Sequence, residues 1–433
     1  MTPSTTAVAG AALAENALTR AFHADIGAVD TAAPAFGRTH AWLGRPIFNR
    51  PALLAGTAAG DLGRDLGVFY GVLRALPDRL FGGDRAAMAR ALGLPPAQAA
   101  AVAVRTGDPP PLGRADLVHD GDGFRLVEFN TSSSLGGCEI AEMNRAMLAD
   151  PAFGAFAAAH RLGYGDPVAA MLRGLPPSPY PIAVLTWQGG DHRHLALFLA
   201  QLAAAGRDAF GCPMADLRYE GGVLRAAGRR VDRVFRTFQL GRLDGSPAAA
   251  DLAEPLLRAA DDGAVTMCAP FAVELYGIKE CLALLGADEH RAACTPVERE
   301  VIDRLLPWTR RLREDLVGHA IAHRPELVLK PSTGYAGRGI TAGWLVDAAT
   351  WAERLREALR TPHILQRRVQ PVAERFLPGD GGEPVRCLLS WGVFLTGEGY
   401  SGAFVKGIPG GDQDIRYLGD GSHVGCVFHR EVR

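Results

Sequence analysis

The stretch LVEFNTSSSLGG, residues 126–137, places a carboxylate and an amide two residues apart on a strand-like run. Side chains alternate between the two faces of a strand, so Glu128 and Asn130 are expected on the same face. The run ADLVHD (115–120) precedes it, and the turn residues DGDG separate the two runs. This arrangement predicts a β-hairpin with two polar side chains side by side on one face.

The register of this hairpin decides which side chains meet across the strands. With the turn centred near Asp122, we expect Asp116 opposite Glu128 and Arg114 opposite Asn130. Two carboxylates opposite each other destabilise a sheet unless a cation compensates. A surface ion-pair cluster with Arg114 would compensate, and so would Mg²⁺, which prefers hard oxygen ligands. The other face is expected to be apolar and to face the core: Ala115, Leu117, Val127 and Phe129.

The turn after the hairpin, TSSSLGG (131–137), offers hydroxyl groups and glycine N–H groups just before a helix expected near 138–150. Backbone N–H groups at a helix start suit an anion. An ordinary Ser/Gly turn with a helix cap would have the same composition. Ser133 and Ser134 are candidates for contact with a substrate.

Composition indicates a globular protein of several domains. The chain has 433 residues, of which 48% are hydrophobic and 21% charged, and its net charge is −1. This balance argues against broad attraction to nucleic acid or membranes, and no apolar run reaches the ~20 residues of a membrane helix. The N-terminus lacks a basic region before its Ala-rich stretch, and the seven cysteines form no CxxC pair. We therefore expect a cytoplasmic protein with reduced thiols.

Three regions follow from the pattern of elements along the chain. Residues 1–105 are expected to form a mostly helical N-terminal region. After GLPPSPYP, residues 180–275 alternate strand, helix and strand, which predicts a small parallel α/β domain. Residues 106–175 and 290–433 are expected to form the remaining domain, with a helical stretch at 290–318.

Only three of the 46 basic residues are lysines, so each is a candidate for a place where a compact point charge is preferred over the arginine fork. Chance retention is the alternative. Lys330 ends a strand in ELVLKPSTGYAGRGI (326–340), ahead of three glycines. The order differs from GxxxxGK[ST] and from GxGxxG, but a glycine flap behind a lysine can close over phosphates. Lys279 lies in ELYGIKECL, and Lys406 in YSGAFVKGIPGG.

Together these segments resemble the ATP-grasp ligases in their circularly permuted form, the eukaryotic-type glutathione synthetases and the glutathionylspermidine synthetase domains. In the usual order the lysine and glycine flap come first, whereas here Glu128-Phe129-Asn130 precedes Lys330 by about 200 residues. Arg114-Ala115-Asp116, with Glu128 twelve residues after the Asp, keeps the spacing of the second family. The resemblance implies an α+β fold, a circularly permuted ATP-grasp with an inserted small parallel α/β substrate domain and a helical N-terminal region.

The resemblance also implies roles for individual residues. Asp116, Glu128 and Asn130 would bind Mg²⁺, and Arg114 and Lys330 would act on the transferred phosphate. The implied ATP-binding residues are Lys279, Lys330, Ser332, Gly334, Gly337, Arg338, Gly339, Gln366, Arg367 and Val369. Two positions depart from the glutathione synthetases: Gly334 stands where an acidic metal ligand is expected, and Phe404 stands near the place of the substrate-gripping arginine. Glutathione itself is therefore not the expected product.

The segment VLTWQGGDHRHLALF (184–198) matches a turn that contacts the acceptor substrate in the synthetases. The implied substrate residues are Ser133, Ser134, Gln188, Asp191, Arg193, Arg236 and Lys406. Arg193 and Arg236 could equally form ordinary surface ion pairs. His192 and His194 lack a third metal ligand nearby and are interpreted as solvated residues at a helix start.

The function implied by the resemblance is an ATP-dependent carboxylate–amine ligase that forms an amide or peptide bond through an acyl phosphate, with ATP and Mg²⁺ as cofactors. The partners would be a small carboxylate and an amine, such as an amino acid, peptide or polyamine. A homodimer is expected by family analogy, and neither nucleic acid nor membrane is. A catalytically degenerate nucleotide-binding module and an ATP-dependent small-molecule kinase remain alternatives. A dinucleotide-dependent enzyme is disfavoured because no GxGxxG follows the strand IAVLTW.

Overall fold

A computed structural model describes residues 15–104, 111–133, 135–188, 192–334, 337–377, 383–410 and 421–430. Residues 15–104 are mainly helical, and the remaining ranges contain both helices and strands. In chain order the helices are Ala17–Asp25, Gly37–Leu43, Ala58–Arg74, Leu76–Phe81, Arg85–Ala91, Pro96–Ala103, Cys138–Ala149, Pro151–His160, Pro167–Arg173, His192–Ala204, Pro247–Asp261, Phe271–Glu274, Lys279–Leu285, Asp288–Ala293, Pro296–Leu305, Glu314–Ala322 and Ala348–Ala358. Within these ranges no helix is long and apolar enough to cross a membrane.

The largest sheet joins three distant parts of the chain. Its strand order is Ala52–Leu54, His423–Arg430, Gly399–Gly407, Ser390–Thr396, Leu112–His119 and Phe124–Asn130, and the short strand Leu162–Gly163 also pairs with His423–Arg430. The first of these strands pairs in parallel with the C-terminal one, while the predicted hairpin lies at the opposite end. The C-terminal strands therefore hold both the N-terminal helical region and the hairpin in place.

The predicted register of the hairpin is confirmed at the end that carries its polar side chains. Arg114 pairs with Asn130, and Asp116 with Glu128. A β-bulge follows, because Leu117 pairs with Leu126 and Val127 is left as the extra residue. Leu126 is fully buried, whereas Val127 lines a cavity. The prediction that Val127 faces the core is therefore wrong.

A second sheet is formed by four parallel strands, in the order Thr266–Met267, Arg233–Arg236, Ile182–Thr186 and Ala209–Pro213. This agrees with the parallel α/β unit expected between residues 180 and 275. A three-stranded antiparallel sheet that the sequence did not predict is inserted in this unit: Leu217–Glu220, Val223–Ala226 and Arg229–Val231. Two two-residue turns, Gly221-Gly222 and Ala227-Gly228, connect its strands with positive φ throughout, which is the backbone that hairpin turns need.

A third sheet carries Lys330. Its antiparallel strands are, in order, Thr309–Arg311, His363–Arg367, Leu327–Pro331 and Thr341–Ala342. The helices Glu314–Ala322 and Ala348–Ala358 cover one face, where Trp351 is fully buried. The expected helical stretch at 290–318 is therefore wrong over Thr309–Arg311. A separate two-stranded sheet, Ala373–Phe376 with Val385–Leu388, lies nearby in sequence.

The apolar face of the hairpin packs into the largest core cluster. Phe129 is 1% exposed, and the ring of Tyr70 from the helix Ala58–Arg74 stacks on it with centroids 5.6 Å apart. Ala115, Leu117 and Leu126 join the same cluster. Because side chains alternate along a strand, burying this face aims Asp116, Glu128 and Asn130 away from the core.

Candidate functional site

A cavity of about 700 Å³ lies between the hairpin of the largest sheet and the strand that carries Lys330. All three lysines of the chain line it. Lys279, Lys330 and Lys406 are 6%, 7% and 8% exposed, although lysine is rarely buried in proteins. Three buried ammonium groups around one opening favour an anionic ligand.

The predicted metal face lines the same cavity, with Asp116, Glu128 and Asn130 all part of its wall. Arg114 Nε lies 2.9 Å from Asp116 Oδ1, and Lys279 Nζ lies 2.8 Å from Glu128 Oε1. Burial disfavours the charged form of Asp116, but the nearby charges of Arg114, Lys406 and Lys279 prevail, so the pKa of this carboxyl lies below its usual value.

Both ideas from the sequence, an ion-pair cluster and a magnesium face, are compatible with these contacts. Within the described ranges, no group of three or more His, Cys, Asp or Glu side chains is placed to hold a metal by itself. Mg²⁺ commonly uses one or two carboxylates and completes its shell with phosphate oxygens and water. Two carboxylates and one amide at adjacent ladder positions fit that donor set.

Lys330 connects the two sheets across the cavity. Its Nζ donates to the carbonyl oxygen of Val127 at 3.0 Å and to Gln366 Oε1 at 2.6 Å. Gln366 Nε2 in turn donates to Thr309 Oγ1 at 3.1 Å. The bulge thus turns the Val127 carbonyl toward the ammonium group of Lys330, and the side-chain amide of Gln366 holds the same ammonium group from the other side.

Burial lowers the pKa of Lys330 to about 8 from its ordinary 10.5; Glu128 and Asp116 oppose the shift and Lys279 adds to it. A bound polyphosphate would favour the charged form. We therefore predict proton uptake when a polyphosphate such as inorganic triphosphate binds above pH 8, and an affinity for it that falls as the pH rises from 8 to 10. Titration calorimetry in two buffers of different ionisation enthalpy would measure the uptake. The uptake should be smaller in the Lys330→Met variant, where Lys406, whose pKa burial also lowers, can still gain a proton. Equal uptake in the two proteins would contradict the assignment.

The lowered pKa of Lys330 also makes the stability of the folded protein depend on pH. Between pH 8 and 10.5 the unfolded chain holds the Lys330 proton more tightly than the folded chain does. The cost of burying this charge is therefore fully present below pH 8 and is relieved as the pH rises through that window. Lys330 is thus retained at a cost to stability at neutral pH.

Lys279, the first residue of the helix Lys279–Leu285, contacts both the predicted metal face and the glycine-rich segment that follows Lys330. Its backbone N–H donates to the Ser332 carbonyl at 3.0 Å, and its Nζ donates to the Gly334 carbonyl at 3.1 Å. The same Nζ pairs with Glu128. Gly277 precedes it, and a Cβ there would lie 2.9 Å from Thr131 Oγ1. The glycine lets the segment before Lys279 approach the end of the hairpin.

The predicted nucleotide residues separate into two groups. Those that line the cavity are Lys279, Lys330, Ser332, Gly334, Gly337, Gln366, Arg367 and Val369. Arg338 and Gly339 are exposed and are not part of its wall. Gly334, Gly337 and Gly339 all have positive φ, which explains why the segment after Lys330 is rich in glycine.

Two features were not predicted from the sequence: a buried carboxylate bonded to Ser332 of the cavity wall, and a cation–π pair in the wall itself. Glu280 is 1% exposed; its Oε1 pairs with Arg311 at 2.9 Å and its Oε2 accepts from Ser332 Oγ at 3.2 Å. Burial raises the pKa of this carboxyl. The guanidinium of Arg368 lies 4.1 Å from the ring centroid of Trp344, and both side chains line the cavity. The partners in each pair lie far apart in sequence, so no local pattern marks them.

A second cavity, of about 800 Å³, adjoins the first and shares Ser132, Leu135 and Gln239 with it. Two predicted substrate residues line it, Ser133 and Gln188. Ser133 Oγ donates to the Phe238 carbonyl at 3.0 Å. Much of the remaining wall is apolar: Met171, Trp187, Phe198, Phe235, Phe238 and Phe394.

The other predicted substrate residues lie elsewhere. Lys406 lines the first cavity, with its Nζ 5.2 Å from the ring centroid of Phe404. Burial lowers its pKa, against the opposing charge of Asp116. Ser134 and Asp191 lie outside the described residues, as does the side chain of Arg193.

Arg236 lines neither cavity, and its position does not support direct contact with a substrate. It is 1% exposed and forms an ion pair with Glu274. Its Nε donates to the Ala269 carbonyl at 2.8 Å, and its guanidinium lies 4.2 Å from the centre of the Phe271 ring. Arg236 therefore joins the parallel sheet to the segment leading to Lys279.

Replacing Arg236 by methionine is expected to lower the free energy of unfolding by about 3–5 kcal/mol, because it leaves the Glu274 charge buried without its partner. Urea denaturation followed by circular dichroism would measure the change. Arg258→Met is the matched control, because Arg258 pairs with Glu254 on an exposed helix face, and this substitution should leave the free energy of unfolding close to that of the wild type. A stable Arg236→Met protein would contradict the structural role.

Comparison with known proteins gives a fold likeness. No family model and no curated protein matches the chain. Among solved structures it is similar to a glutathione synthetase-like effector from Globodera pallida, with a TM-score of 0.51 and 12% identity over 88% of this chain and 90% of that one. D-alanyl-alanine synthetase A from Vibrio cholerae O1 biovar eltor also matches, at a TM-score of 0.27 and 11% identity over 48% of this chain and 68% of that one, a likeness too low to carry an argument. The first likeness shows a shared mixed α/β fold and does not by itself show a shared reaction.

Proposed function

We propose that this chain is an ATP-dependent carboxylate–amine ligase with a circularly permuted ATP-grasp fold. The observation that carries the proposal is the convergence of Asp116, Glu128 and all three lysines on one cavity. Lys330 and Glu128 stand about 200 residues apart in sequence, and they belong to different sheets. We propose the region boundaries given above, with residues 180–275 as the substrate-binding part.

The charges around the first cavity support a magnesium–triphosphate ligand. Lys279, Lys330 and Lys406 supply three point charges, which suit phosphate oxygens of varied orientation. Asp116, Glu128 and Asn130 are the oxygen donors that would hold the magnesium. When bound, the metal neutralises charge on the phosphate oxygens and orients them.

The chain's own residues would position and stabilise the reacting groups. Lys279 and Lys330 neutralise the phosphates from the side of the glycine segment, while Arg114, oriented by its bond to Asp116, contacts the transferred group. A substrate carboxylate attacks the γ-phosphorus in line and ADP leaves, which gives an acyl phosphate. An amine then attacks the acyl carbon and releases phosphate. Closure of the segment after Lys330 would exclude water from the acyl phosphate.

Incubation with ATP, Mg²⁺ and panels of carboxylates and amines tests the proposal. ADP release that requires an amine, together with an amide product of matching mass, is the expected result. ADP release with a phosphorylated product and no amine requirement would make the chain a kinase. Nucleotide binding without turnover under any combination would make it a binding module. A supply of purified protein and mass spectrometry suffices to separate the three outcomes.

A further inference from the structure

The second cavity differs in character from the first. Three apolar clusters contribute to its walls. One includes Val168, Met171 and Phe198, the second Leu135 and Phe394, and the third Trp187 and Phe238. With a volume of about 800 Å³ it is roomy enough for a ring-sized side group. Burying such a group against these walls would be favourable by about 25 cal/mol per Å² of apolar surface removed from water.

One carboxylate stands in this apolar wall. Glu139 lines the second cavity, and its Oε2 is buried without a hydrogen-bond partner among the described residues. Because a carboxylate oxygen without a donor is costly, a cation that reached this carboxylate from the cavity would be favoured. Oε2 itself is closed to the cavity, so the ligand would contact the part of the Glu139 side chain that lines the wall. Arg242, another charged residue among the described lining residues, is exposed.

Glu139 also lies on the side of the second cavity that meets the first. It stands in the first turn of the helix Cys138–Ala149, directly after the turn that continues the hairpin. Its charge acts on the guanidinium of Arg114 in the first cavity. Leu135 and Ser132 belong to both cavities. A ligand held at Glu139 would therefore present its cationic end toward the proposed phosphate site.

We propose that the second cavity binds the amine substrate, that this amine carries a large apolar or aromatic side group, and that Glu139 binds its ammonium group. The assignment of the ligand as a substrate rests on the proposed function. The assignment of the cavity to an apolar amine rests on the wall and on Glu139, and binding alone tests it. The proposal excludes glycine and polyamines as preferred partners, because neither fills an apolar cavity of this size.

The test uses two probes with one apolar body, phenethylamine and 2-phenylethanol, added to the full chain without ATP. Titration calorimetry is expected to show phenethylamine binding at least tenfold more tightly than 2-phenylethanol. Glu139→Gln should weaken phenethylamine at least tenfold and leave 2-phenylethanol unchanged. Met171→Gln, nearly equal in volume, should weaken both probes. Glu142→Gln is the matched control on the same helix, because Glu142 already pairs with Arg145 and Arg38.

Three results would overturn the proposal. These are no binding of either probe at millimolar concentration, equal affinity for both probes in wild type and in Glu139→Gln, and tighter binding of phenylacetate than of phenethylamine. The last would assign the cavity to the acid. Because the measurement involves no ATP, a failure of ligase activity leaves its outcome intact, and the two proposals can fail separately.

Discussion

Replacing Lys330 by methionine is expected to raise the dissociation constant for ATP by about 100-fold while leaving the protein as stable as the wild type or more stable. A buried ammonium that contacts phosphate makes charge-assisted hydrogen bonds worth about 1.5–3 kcal/mol each, and ~2.8 kcal/mol corresponds to two decades of affinity. Burial lowers the pKa of Lys330 to about 8, so its charge is held at a cost when no anion is bound. Methionine removes that cost, although the Val127 carbonyl and Gln366 lose a donor.

Calorimetric titration with ATP and thermal denaturation without nucleotide would measure the two effects. Arg338→Ala is the matched control, because Arg338 belongs to the same glycine segment but is exposed and lies outside the cavity wall. It should change the ATP dissociation constant by less than twofold. Normal ATP binding by the Lys330→Met protein would contradict the proposed contact between Lys330 and the phosphates. Unfolding of that protein would show that Lys330 holds the two sheets together instead.

The sequence predicted the polar face of the hairpin but not its β-bulge. The turn chemistry and the alternation of polar and apolar residues predicted the pairing of Asp116 with Glu128. The bulge was not predictable, because Leu126 and Val127 are both apolar and either suits the core face. The prediction therefore missed a contact, because Val127, which was assigned to the core face, supplies the carbonyl that accepts a hydrogen bond from Lys330.

The lysines were predictable as a group because the chain uses arginine almost everywhere else. Their mutual arrangement was not, since Lys279 meets Glu128 only through the docking of a helix start against the hairpin. Arg236 is a residue whose predicted role in substrate binding the structure does not support. Its position at a strand end resembled that of a substrate residue, whereas packing against Phe271 and Glu274 buries it completely.

Substituting Glu128 by glutamine is expected to reduce magnesium-dependent turnover by about 1000-fold. The change keeps the shape of the side chain and removes one of the two carboxylates that would hold the metal, an effect of several kcal/mol on the charge of the transferring group. Glu128 also pairs with Lys279, so the substitution frees that ammonium. We therefore expect opposite effects on binding: ATP without Mg²⁺ should bind as tightly or more tightly, and ATP with Mg²⁺ more weakly.

These opposite effects on ATP affinity would distinguish a Glu128 that binds the metal from a Glu128 that only forms an ion pair with Lys279. If Glu128 only oriented Lys279, its loss would weaken ATP with and without Mg²⁺ to the same extent, and excess Mg²⁺ would restore nothing. Asp120→Asn provides the matched control in the same hairpin, because Asp120 pairs with Arg125 and is not part of the wall of the first cavity. Titrations with ATP in EDTA and in Mg²⁺, run on both variants, would measure the sign of each effect. Equal changes under the two conditions would contradict the magnesium assignment, since a metal ligand can act only where the metal is bound.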